Sequence, residues 1–173
     1  MAAAFLFVAV AAQAAEPSSV VINEIMWDGS EYLELYNPTE ADIELDGWQL
    51  TRQASADAEV KTIIIFDAEN AIGAGDYFLL EKNETTTTSA ADAITSALTL
   101  LNTGEQVQLL NESREVVDTA NRFGSWLAGE NTSAGVAMER TVAGSDGTIA
   151  ASWHSSTGDV GGRSGTPGVA NSE

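Results

Sequence analysis

The chain has 173 residues, and its 26 Asp and Glu outweigh its 7 Lys and Arg to give a net charge of −19. Phosphate backbones bind proteins through Lys and Arg that displace counterions, so this balance argues against DNA, RNA and anionic headgroups as partners. With no cysteine and a single histidine, His154, disulfides, thiolate metal sites, a Cys nucleophile and a multi-histidine metal site within one chain are excluded.

In chain order, Ala2 to Ala12 form an uncharged apolar run too short to span a bilayer, and Ala12-Gln13-Ala14 fits a small-x-small cleavage site. No Lys or Arg precedes that run. Residues 1–14 are expected to be a signal peptide, with a mature N-terminus at Ala15 and a location that is secreted, periplasmic or at the cell surface, with no membrane span after cleavage. One domain is expected over residues 18–171. Strand-like runs follow at Val20 to Trp27, Tyr32 to Asn37, Asp42 to Thr51, Val60 to Phe66, Tyr77 to Glu81 and Leu98 to Leu101. Gln106 to Leu110 and Glu115 to Thr119 flank a hairpin turn at Asn111-Glu112-Ser113-Arg114; Val136 to Arg140 and a weak run near Trp153 come last. Glu84 to Leu98 could form one helical turn, but four consecutive threonines favour a loop. From residue 124 to 171 Gly, Ser and Thr dominate, which predicts a loosely structured segment wrapping the rest, with Trp126, Met138 and Trp153 as its core contributors.

Many short strands with Gly-, Asn- and Asp-rich turns read as an all-β antiparallel sandwich. Its expected core is Val21 or Ile22, Ile25, Leu33, Leu35, Ile43, Leu45, Trp48, Leu50, Ile63, Ile65, Phe78, Leu80, Leu100, Val107, Leu109 and Val117. The acids that alternate with these residues are expected to face water, keeping the outer surface soluble and discouraging strand-to-strand aggregation. Their spread along the whole chain points to solubility or adaptation to salt ahead of cation binding or a basic partner.

The order of motifs carries more than any one of them. INEIMW (22–27), EYLELYNPT (31–39), IELDGWQL (43–50), AIGAGDYFLLEKN (71–83), LLNTGEQVQLLNESREVVDTAN (100–121), AMERT (137–141) and GTPGVAN (165–171) together resemble the lamin-tail domain family in its bacterial secreted form. The resemblance runs from Val20 to Asn171 and implies an immunoglobulin-like antiparallel β-sandwich. It implies contact rather than catalysis: in nuclear lamins the domain is a contact platform, and bacterial versions occur in secreted or surface proteins, often beside hydrolase domains. Filament assembly does not carry over, because no apolar heptads run through this chain.

Candidate chemistry is sparse. Glu24, Glu31 and Glu34 could converge where the first two strands meet, as a carboxylate pair for hydrolysis or a metal, but alternation places them at outward, solvated positions. His154 stands among Ser152, Ser155 and Ser156 without a G-x-S-x-G turn, and reads as a surface-loop residue. No EF-hand loop or phosphate-binding G-x-x-x-x-G-K-[ST] occurs, and Asn83, Asn111 and Asn131 begin N-x-S/T sequons that matter only in a eukaryotic host. No catalytic, cofactor or metal residue is therefore assigned, and no cofactor. The leading reading is a non-catalytic secreted or surface module contacting a protein or envelope component. A Ca²⁺-dependent adhesion module comes second. An accessory fragment of a secreted metal-dependent hydrolase, or a weak one, comes third.

Overall fold

Val21–Met26 (β1) and Tyr32–Tyr36 (β2) pair antiparallel around a turn in which Gly29 takes φ +72°. The computed structural model describes residues 19–83, 86–132 and 135–173; the expected signal peptide, residues 1–14, lies outside them. The next strands are Ile43–Glu44 (β3), Gln49–Gln53 (β4), Lys61–Ile65 (β5), Ala71–Ile72 (β6), Tyr77–Glu81 (β7) and Ala93–Ile94 (β8). Gln106–Leu110 (β9), Val116–Ala120 (β10), Met138–Arg140 (β11) and Trp153–Ser155 (β12) complete the set, with one 3-10 turn at Ala150–Ser152 and no α-helix among the described residues.

Two main sheets form, one ordered β12-β11-β1-β2-β7-β8 and the other β10-β9-β4-β5, with β3 and β6 as a separate ribbon. All pairs are antiparallel except β7 with β8. Ile22, Leu33, Leu35, Phe78 and Leu80 of the six-stranded sheet meet Leu50, Ile63, Val107 and Leu109 of the four-stranded sheet in one buried cluster. Full burial of side chains of this size contributes about 1.5–3 kcal/mol each, which makes this double layer the main source of stability. The chain is the predicted all-β antiparallel sandwich.

Four details depart from the pattern read in the sequence. The run Asp42 to Thr51 is not one strand: Trp48 N–H donates to Leu45 O across a turn in which Gly47 takes φ +76°, so β3 and β4 enter different sheets. Trp48 is half-buried and packs on the core from that corner. Leu98 to Leu101 form an irregular link between two turns instead of a strand, with Leu98 N–H bonded to Thr95 O and Gly104 N–H to Leu101 O, although Leu98 and Leu100 still reach the core. Ile65, expected inside, is 58% exposed. The β4–β5 register slips between Leu50 and Thr51, so Ile64 and Phe66 take the inward direction after Ile63 and Ile65 turns out.

Part of the stretch expected to wrap loosely is regular. β11 adds to β1 with Glu24 opposite Glu139 and Ile25 opposite Met138, and β12 adds to β11. Beyond β12 the chain returns across the outer face of the six-stranded sheet, and this return positions the candidate site.

Candidate functional site

Cross-strand register aligns one row on that outer face. Glu24 of β1 lies between Glu34 of β2 and Glu139 of β11, and Glu139 lies opposite His154 of β12. Strand geometry sends these side chains away from the main core, as alternation predicts. They do not reach water: Glu24, Glu34 and Glu139 are each fully buried. This corrects the solvated placement expected for Glu24 and Glu34, and Glu31, expected to be solvated with them, is buried as well. The face is covered because it carries its own small apolar cluster of Met26, Tyr32, Leu79 and Ala137, over which a strap of residues 164–172 is laid.

The strap is fastened by donors aimed at carboxylate oxygens. Thr166 N–H donates to Glu24 Oε1 at 3.0 Å, and the Thr166 hydroxyl donates to Glu139 Oε1 at 2.8 Å. Gly168 N–H donates to Glu34 Oε2 at 2.5 Å. Ser172 gives both its N–H and its hydroxyl to Glu139 Oε2, at 2.9 and 2.6 Å. Asn171 Nδ2 donates to Arg140 O, while Asn23 Nδ2 bridges Asn171 Oδ1 and Glu34 Oε1 at 2.8 Å each. Tyr32 completes the network by donating its hydroxyl to Glu24 Oε1 at 2.5 Å. Only glycine fits at position 165, where a Cβ would stand 2.0 Å from the Tyr32 hydroxyl and 2.9 Å from Glu24 Oε1.

Electrostatics follow from this enclosure. Burial pushes the Glu24 carboxyl up to about 8, against the opposing pull of Tyr32 and Thr166, with Glu34 and Glu139 adding repulsion. Burial likewise pushes Glu34 up to about 7, although Gly168 and Asn23 favour its ionised form. The Tyr32 phenol is driven far above its ordinary value by burial and by Glu24, so it stays a donor.

Paired carboxyls with raised pKa values resemble an acid–base pair, but here their oxygens are committed to the strap and no open face is left for a substrate. His154 is on a strand and not in a surface loop, as the sequence suggested. Its Nε2 meets Glu139 Oε2 at 3.0 Å and the Ser172 hydroxyl at 3.4 Å, while Nδ1 is buried without a partner. A relay needs nucleophile and carboxylate on opposite ring nitrogens, so this trio cannot perform one. Glu31 is separate from the row: it accepts from Leu100 N–H at 2.6 Å and pairs with Lys82, tying β2's start to the neighbouring loop. Among the described residues no group of three or more His, Cys, Asp or Glu is placed to hold a metal ion. Glu139, Asn171 and Ser172 escaped the sequence reading; the outward apolar residues Tyr32 and Leu79 were the available sign that this face is covered.

A family model described as Lamin Tail Domain matches residues 13–123, well over half of the chain. No curated protein matches it.

Proposed function

Because this chain belongs to the lamin tail domain family, a family of immunoglobulin-like, non-enzymatic modules with a role in protein interaction, we propose that it is a non-catalytic module of the secreted or cell-surface kind, acting by contact with a protein or envelope component. The observation that carries this reading is the use of Glu24, Glu34 and Glu139 as anchors for the strap. Carboxylates sealed in this way serve architecture. Hydrolysis would need them in an accessible pocket with a matched acid and base. The net charge of −19 supports neutral or basic partners over nucleic acid.

The test pairs two assays on the full chain. Nuclease, phosphatase, glycosidase and esterase substrates are screened with divalent metals, and retention on isolated cell envelopes is measured in parallel. Retention without turnover is expected. Turnover abolished by Glu24→Gln or Glu34→Gln with folding intact would overturn the reading.

A further inference from the structure

The strap does not fill the outer face of the six-stranded sheet. Between it and the Tyr36–Tyr77 pair of β2 and β7 lies an open groove of about 700 Å³, inside the range of roughly 300–1,000 Å³ typical of small-ligand clefts. Tyr36 and Tyr77 are register partners on β2 and β7 and form one wall, their rings stacked with centroids 4.8 Å apart and planes at 27°. Both are half-buried. β2 lies next to β1, so Tyr36 is the ring nearer Asn23 and the strap. Asn23 and Asn171 line the groove with their amides bonded to each other at 2.8 and 3.1 Å, a rigid polar surface already formed without ligand. Thr157 lines the groove beyond them.

Charge narrows the ligand. On a chain carrying −19, Glu173 is the only acidic residue lining this groove among the described residues. The Arg140 guanidinium is buried, neutralised by Asp118 and bonded to Ile22 O and Ser145 O, so its charge is not presented to an anion in the groove. The hydroxyls of Tyr36, Tyr77 and Thr157 have no hydrogen-bond partner among the described residues. A tyrosine pair offers apolar ring surface with a polar tip. A pyranose ring offers the matching surface, an apolar C–H face bordered by hydroxyls. A neutral sugar also escapes the repulsion that the protein's field imposes on anions.

We propose that this groove binds a neutral saccharide chain, with Tyr36, backed by the Tyr77 ring stacked on it, as its stacking wall, the amide oxygens of the Asn23–Asn171 pair as acceptors and Thr157 as a further polar contact. The proposal rests on the contact-module reading and supplies the chemistry of the contact. The full chain is run through native gels containing soluble neutral β-glucan, mannan or xylan, with polygalacturonate as the anionic control. Hexasaccharides of any retarding polymer are then titrated by calorimetry. At least one neutral polymer should retard the protein while polygalacturonate does not. Tyr36→Ala and Tyr77→Ala should each weaken binding at least tenfold with thermal midpoints near that of the parent chain, and Tyr36→Phe should weaken it less. Thr157→Val, at a site the core does not use, keeps the test available if either alanine variant unfolds, and should weaken binding severalfold.

Absence of retardation by all three neutral polymers, or binding unchanged in Tyr36→Ala and Thr157→Val, overturns the proposal. Envelope retention that survives these variants and periodate oxidation of envelope glycans, but is lost on protease treatment, also overturns it while leaving the contact-module reading intact. Saccharide binding without envelope retention supports the groove and overturns an envelope component as partner.

Discussion

Replacing Glu24 by Gln isolates the cost of burying an ionisable carboxyl beneath the strap. Glutamine keeps the shape and an acceptor oxygen for Tyr32 and Thr166, but it cannot ionise. In the native protein Glu24 holds its proton up to about pH 8, against an ordinary value of 4.5. The folded chain therefore binds this proton more tightly than the unfolded chain does. Its stabilising effect is fully present below pH 4.5 and is lost as pH rises through 8. A difference of about 3.5 pH units at about 1.36 kcal/mol each amounts to about 5 kcal/mol, a large share of the 5–15 kcal/mol typical of a domain. Urea unfolding followed by circular dichroism at pH 5, 7 and 9 should give a variant close to the parent near pH 5. The variant should become progressively more stable than the parent, by about 5 kcal/mol at pH 9. Glu34→Gln removes an ionisation with a lower window, since Glu34 titrates near 7, but both Glu34 oxygens accept, from Asn23 and Gly168, so loss of one acceptor offsets part of that gain. A Glu24→Gln chain that is less stable than the parent at pH 9 would refute the reasoning, because it would mean the strap depends on an ionised carboxylate.

Gly165→Ala forces a Cβ against the Tyr32 hydroxyl and Glu24, and should cost about 1–3 kcal/mol in urea unfolding through overpacking. Ile63→Ala should cost about 2–5 kcal/mol, whereas Ile65→Thr should stay within about 0.5 kcal/mol. Similar costs at the two positions would show that the register slip in β5 is absent. Calorimetry with Ca²⁺ should show weak, salt-screened association by scattered carboxylates; one saturable site near 10⁻⁷–10⁻⁵ M would instead favour the calcium-dependent module.

The sandwich was legible because its strands alternate. Leu33, Leu35, Phe78, Leu80, Val107 and Leu109 declare one inward face through period two, and all are buried. Asp42, Glu44 and Asp46 obey the complementary rule and are exposed. Alternation reports direction only, and a side chain pointing away from one core can still be covered by a segment from elsewhere. Glu24 and Glu34 are such side chains, sealed by Thr166 and Gly168 more than 130 residues downstream. That long-range return leaves no periodic trace; Gly165-Thr166-Pro167-Gly168 reads as an extended terminal clamp in which Pro ends pairing, and what it clamps appears only when Gly165 is seen against Tyr32. The slip that exposes Ile65 is likewise a property of pairing with β4 and not of the sequence VKTIIIF itself. β6 and β8, two residues each, are too short to show any period.

Amide hydrogen exchange at Thr166, Gly168 and Ser172 tests most directly whether the buried glutamates serve as anchors. These three N–H groups donate to Glu24, Glu34 and Glu139. If the strap is fastened as described, they should exchange at pH 7 as slowly as the amides of β1 and β2, and Glu34→Gln should speed Gly168 most. Exchange at the rate of an open loop would contradict the account, since it would leave the glutamate row open to solvent and available for chemistry.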